Sequence, residues 1–270
     1  LVLDATGTPL LYQRLFPHHE VRVDPAHCRV QADVVQVRDQ RLPLQTLRAE
    51  SKQHEIKQLV HAIIAERRKV HGEGVLVVAR QEVLPWLEVP EAVQRPYYGR
   101  QRGSRAFERC HTAIVVGLAE PAPEQVAVTA EVMLGRSVSR QRETVVRPYQ
   151  VESGPGRSFA AEVKVHRDAV HQALVERVRE GELVQAAYRI RPLDEKKNEA
   201  MVFMLTNIPL ALLPPDELLT LAELQSRFGT SDRLFDRVRR LREENPDLSQ
   251  AEIARRLKVT RQAISKLLAG

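Results

Sequence analysis

The sequence predicts an α/β fold, a doubly wound and mainly parallel sheet, followed by a small all-α unit at the C-terminus. Continuous apolar runs at residues 75–79, 112–117 and 201–206 leave no polar face, so each reads as a strand covered on both sides, the habit of parallel sheets. Ahead of the first, Ile56, Leu59, Val60, Ile63 and Ile64 fall at helical spacing within residues 52–70, and helix followed by apolar strand implies crossover connections. The stretch Leu212-Leu213-Pro214-Pro215-Asp216 then marks a change of composition. An α/β domain is therefore expected over residues 1–212, a linker over 213–218 and a helical unit over 219–270.

The chain has 270 residues, 43% hydrophobic and 28% charged, enough for one sizeable core and a satellite. It contains no apolar run of about eighteen residues and no export signal, so no membrane contact and a cytoplasmic location are expected. The first residue is Leu1, and residues 1–3 read as a strand already under way, as in a piece of a longer protein. Cys28 and Cys110 stand far apart without the spacing of a disulfide framework or zinc site. The histidines, His166 and His171 among them, lack the carboxylate company of a metal centre, and no metal is expected. The formal charge is +6, and residues 219–270 hold eleven Lys and Arg against seven Asp and Glu. A basic excess at one end fits a polyanionic partner.

Taken in order, residues 2–6 form a short apolar strand that ends in Asp4-Ala5-Thr6-Gly7, and residues 9–16 a helix. Strands are expected at 20–24 and 32–38, and the 52–70 helix stops at Gly72 to Gly74. The apolar run at 126–134 is grouped with the strands at 112–117 and 201–206. Residues 144–151 and 158–166 read as a strand pair joined through Gly154-Pro155-Gly156, a turn by composition. Residues 167–190 form a long helix, and helices at 219–228, 232–244, 249–257 and 260–268 complete the chain.

Two stretches carry chemistry. In residues 182–192, Leu183, Ala186, Ala187 and Ile190 make one apolar stripe, while Gln185 and Arg189, four apart, share a neighbouring face. Pro192 ends the helix near Arg191. An amide and two guanidiniums suit phosphate oxygens and charge on a transferred phosphoryl group; the alternative is a helix end whose arginines only complement the dipole. Residues 95–109 hold five Arg, two Gly and three aromatics, which supply phosphate forks, close backbone approach and rings for base stacking. At a strand end this segment would sit in the ligand crevice of such a sheet; a solvated basic loop is the alternative. No stretch has the GxxxxGK[ST] order, so ATP hydrolysis is not expected from this polypeptide alone.

Near the C-terminus, Ser249 and Glu252 make a capping box. Ile253, Ala254 and Leu257 face inward, Lys258-Val259 turns, Thr260 caps, and Ile264, Leu267 and Leu268 bury the next helix. This stretch closely resembles the helix-turn-helix of DNA-binding repressors, with Lys258 where many members carry Gly. The resemblance places Arg261, Gln262 and Lys266 toward base edges or phosphates and Gln250, Thr260 and Ser265 at the backbone. It also allows a dimer.

The first 212 residues resemble the second, RecA-like motor domain of superfamily 2 DNA helicases, within the P-loop NTPase superfamily. Gln185, Arg189 and Arg191 look like the sixth helicase motif, with the second Arg six residues after the Gln rather than seven. Asp4-Ala5-Thr6 stands in the place of the third motif. Tyr97, Gly99, Arg102, Gly103, Ser104 and Phe107 match the Tyr-x-Gly-x-x-Arg-Gly-Ser-x-x-Phe arrangement of phage- and plasmid-type proteins. The resemblance implies Asp4, Thr6, Arg102, Gly103 and Ser104 at an interdomain cleft, with Arg100 and Arg105 on DNA. It implies Gln185, Arg189 and Arg191 as catalytic groups toward ATP and Mg2+ held by a missing N-terminal motor domain. The rival expectation is a non-enzymatic DNA-binding regulator whose α/β domain senses a ligand or assembles partners.

Overall fold

The structure, a computed structural model, describes residues 8–22, 31–100, 106–150, 159–191, 199–230, 238, 241–242, 245–257, 259–262 and 264–265. Its strands are β1 (Asp33–Val37), β2 (Val75–Val78), β3 (Thr112–Val116), the pair β4 (Arg142–Pro148) and β5 (Ala160–His166), then β6 (Met201–Leu205) and β7 (Glu217–Leu219). Five of them form one sheet in the order β2-β3-β6-β1-β7, with every pairing parallel. β4 and β5 make a separate antiparallel hairpin.

The period of two along each strand divides the side chains between two cores. Val34, Leu76, Val78, Ala113, Val115, Val202 and Met204 enter one. Val35, Val37, Val75, Val77, Ile114, Val116, Phe203 and Leu205 enter the other. The second core is roofed by α3 (Glu50–His71), flanked by α2 (Leu44–Leu47) and α4 (Leu84–Leu87). The α3 residues Ile56, Leu59, Val60, Ile63 and Ile64 are at most 2% exposed, each contributing roughly 1.5–3 kcal/mol of burial. Gly72, at φ 65°, ends α3 in the left-handed region. The first core lies under the hairpin and the C-terminal half of α6 (Ala169–Ala187). Outside α6 sit α1 (Pro9–Leu15) and α5 (Pro123–Leu134), joined to it through Leu11, Val170 and Ala173.

Several elements differ from the sequence reading. Residues 20–22 form no strand. The 126–134 run is the helix α5: Pro123 occupies its first turn and Gly135, left-handed at φ 64°, closes it. Its apolar residues split between buried Val126, Ala127 and Ala130 and exposed Val128 and Val132, so the run is amphipathic with a 3.6-residue period. The stretch taken as a linker is part of the α/β unit. Leu213 is fully buried, β7 pairs with β1, and α7 (Leu221–Arg227) buries Leu221 and Leu224 in the core beneath α3. A reciprocal Thr220–Glu223 capping box starts α7 immediately after β7. Beyond it, α8 (Gln250–Leu257) and Ile264 share a small separate core with Val238. No helix among the described residues is long and apolar enough to cross a membrane.

One buried amide ties the sheet's centre together. Gln36 of β1 is fully buried and donates through Nε2 to the carbonyl oxygens of Thr206 and Ile208, at 2.9 and 2.7 Å. It thereby holds the exit of β6 against β1. Gln36→Leu strands two buried acceptors, and urea unfolding should show a loss of roughly 1–3 kcal/mol; an unchanged midpoint would contradict this role.

Candidate functional site

Helix α6 is started by Asp168, whose carboxylate accepts from the amides of Val170 and His171 and pairs with Arg136. The apolar stripe expected near its other end is present: Leu183, Ala186, Ala187 and Ile190 are each fully buried. Gln185 and Arg189 lie half-buried on the adjoining face. The helix tightens into a 3-10 turn, Tyr188–Ile190, with the Tyr188 hydroxyl donating to the Leu212 carbonyl at 2.9 Å. Arg191 then adopts the left-handed conformation at φ 50°. That reversal directs its guanidinium to Glu108, 2.6 Å away, with the Arg191 side chain still 53% exposed.

The basic segment runs alongside this helix end. Gln94 and Tyr97 form parallel bridges with Leu76 and Ala79 on the outer edge of β2. The Tyr98 hydroxyl donates to the carbonyls of Val116 and Gly117, both at 3.2 Å, and burial pushes its phenol well above the usual range. Gly99, at φ 86°, donates its amide to Glu182 of α6 at 2.9 Å. Phe107 and Cys110 are buried in the core under α6, and the His111 amide bonds the Gly74 carbonyl just ahead of β2. The segment thus leaves the C-terminal edge of the sheet and returns at the N-terminal edge, with α6 holding both ends. Of its described residues, Tyr97 to Gly99 stand at the strand ends where the crevice was expected, and Glu108 lies with Arg191 at the opposite edge.

Of the residues singled out by sequence, Asp4, Thr6, Arg102, Gly103, Ser104, Arg105, Lys258 and Lys266 lie outside the described residues. Arg100 is exposed with its guanidinium 5.7 Å from the Tyr97 ring centroid. In the C-terminal unit the Ser249–Glu252 capping box is reciprocal. Ile253, Ala254, Leu257 and Ile264 are buried. Thr260, Arg261, Gln262 and Ser265 are exposed, and Gln250 is half-buried.

Sequence reasoning missed a group at the C-terminal edge, where the chain leaves β1 and β6 for opposite faces of the sheet, the crevice position of open α/β sheets. Arg41 pairs with Glu120, whose carbonyl accepts from Arg80 at 3.1 Å. Arg38 lies 5.2 Å from the Phe159 ring centroid and 3.7 Å from Glu223. The available signal was an Arg directly after β1, Arg38, and another just past β2, Arg80. No group of three His, Cys, Asp or Glu suited to a metal occurs among the described residues. Compared with protein-family models, curated proteins and solved structures, the chain finds no match.

The seam between the hairpin and α6 is unusually polar. Arg147 pairs with Glu176 and Glu180, Arg179 is 2% exposed, and the rings of His166 and His171 stack at 3.7 Å. Arg142 donates to His166 Nε2 at 3.1 Å, so the neutral ring carries its proton on Nδ1. Burial, then His171, Arg142 and Arg179, lower the His166 pKa to about 4 from an ordinary 6.5. The unfolded imidazole takes its proton as pH falls through 6.5 and the folded one only near 4, so stability drains across that window. Glu180, pushed up by burial, acts in the opposite sense. Melting curves from pH 7 to 4 should therefore fall more steeply for the native chain than for His166→Gln; parallel curves would contradict this account.

Proposed function

We propose that this chain is the nucleic-acid-gripping portion of an ATP-dependent DNA helicase or translocase. Residues up to α7 would serve as a RecA-like second motor domain, and α8 with the helical residues after Thr260 as a helix-turn-helix. The observation that supports it most is the pair of ties from the basic segment to α6 and to the turn that follows it. Gly99 meets Glu182 across 83 residues of sequence, and Glu108 meets Arg191. Two stretches that each read as phosphate-binding are thus neighbours on one face of a parallel sheet.

In this reading the chain contributes guanidiniums and no metal ligands. Arg189 would stabilise charge on the phosphoryl group, and ATP with Mg2+ would be held by a domain bearing the phosphate loop. The half-exposed Arg191 fits such a ligand in charge and access, but its guanidinium is already held by Glu108. An arriving triphosphate would compete with Glu108 for it and so alter the grip of α6 on the basic segment, linking nucleotide state to strand contact. In the C-terminal unit, exposed Arg261 and Gln262 beside buried Ile264 match the outward and inward sides of a recognition helix.

In a protein that joins this chain to a phosphate-loop domain, Arg189→Ala should reduce DNA-stimulated ATP turnover roughly a thousandfold or more. Unchanged turnover would remove the finger role and favour a non-enzymatic DNA-binding regulator. Arg261→Ala should weaken duplex binding and, if a phosphate contact is lost, reduce the slope of log affinity against log salt by about 1. Affinity and slope both equal to those of the native chain would make the C-terminal unit a protein-contact bundle.

A further inference from the structure

Tyr97 and Tyr98 are adjacent and have opposite fates. Tyr98 is used up by the fold: its ring packs against the core under α6, and its hydroxyl is spent on two carbonyls at the end of β3. Tyr97 is fixed by its backbone instead. It bridges Ala79 at the C-terminal end of β2, the next amide donates to the Ala79 carbonyl at 3.1 Å, and its own carbonyl accepts from the Arg100 amide at 3.1 Å. The half-buried ring therefore stands at a set position on the sheet's rim.

Its surroundings suit an anionic chain carrying flat rings. Exposed Arg100 lies 5.7 Å from the ring centroid, and exposed Arg95 is steadied by a bond from one guanidinium nitrogen to the Val89 carbonyl at 3.0 Å. At Gly99, between Tyr97 and the tied α6, no atom of the described residues lies within 4 Å of where a Cβ would sit, so a backbone can approach closely. No carboxylate occurs in residues 94–100, and the Glu182 carboxylate that meets Gly99 is engaged by its amide.

From this geometry we infer that Tyr97 is a stacking platform for a base of a single-stranded nucleic acid, with Arg95 and Arg100 on the adjoining phosphodiesters. The inference rests on the nucleic-acid reading of the basic segment and goes beyond it by naming the strand form and the contact. A duplex presents bases already stacked on both faces, whereas an unpaired base offers a free face to an aromatic ring. Arg100 then moves from the ring face to a phosphate as the base takes its place.

The test uses the full chain and two labelled oligodeoxynucleotides of equal length and charge, one of thymidylate and one abasic, followed by fluorescence anisotropy. The native chain should prefer thymidylate. Tyr97→Phe should keep that preference, and Tyr97→Leu should lose roughly five- to a hundredfold in thymidylate affinity and with it the preference. Because no charge is removed, the salt slope of Tyr97→Leu should equal that of the native chain, whereas Arg100→Ala should lower it by about 1 on both oligomers. A measurement needing no variant is photocrosslinking to 5-iododeoxyuridine within the strand, expected to map to Tyr97. Equal affinity of the native chain for both oligomers, native-like binding by Tyr97→Leu, or crosslinks confined to residues 249–265 would each overturn the platform while leaving nucleic-acid binding intact. Failure of the native chain to bind either oligomer would overturn both.

Discussion

The architecture through α7 follows from burying one all-parallel sheet on both faces. Parallel neighbours cannot be joined by a tight hairpin, so each connection must cross from one edge of the sheet to the other and cover a face on the way. The β1 to β2 connection does so with α3, an amphipathic helix of ordinary kind. The β2 to β3 connection carries the short α4 and then the basic segment, pinned at its start by Tyr98 and Gly99 and at its end by Phe107 and Glu108. A cationic stretch can serve as a crossover only if something else supplies the apolar cover. That cover is the C-terminal half of α6, with Leu183, Ala186, Ala187 and Ile190 fully buried. Fold and candidate site are therefore one arrangement.

The elements easiest to read from sequence were those whose local signals agreed. The spacing of Ile56 to Ile64 and the stop at Gly72 specify α3, the apolar stripe specifies the end of α6, and the Ser249–Glu252 pair specifies the start of α8. Misreadings arose where hydrophobicity outweighed punctuation. In α5 the apolar run concealed a helix announced by Pro123 and closed by Gly135. Before α7 two prolines suggested a linker, although the Glu217–Leu219 strand that follows completes the sheet on β1.

The site was legible in part. Residue types and spacing single out Gln185, Arg189 and the basic segment as candidates, but a sequence does not tell which carboxylate an arginine will meet. Glu108 and Glu182 are unremarkable as letters and become informative only once folding places them against Arg191 and Gly99. The same holds for the edge of the sheet. A crevice at the strand ends was the expectation for the whole basic segment; among its described residues Tyr97 to Gly99 stand there, while Glu108 meets Arg191 at the opposite edge. α6 and the basic segment thus join two edges of one sheet.

The most direct measurement of that arrangement is amide hydrogen exchange of the full chain with and without a saturating single-stranded oligonucleotide. Slowed exchange is expected in two separated stretches, residues 97–109 and 185–191, since a ligand gripping the basic segment should also quiet the helix end tied to it. Protection confined to residues 249–265, with both of those stretches unchanged, would contradict it and leave only the small C-terminal unit as the nucleic-acid contact.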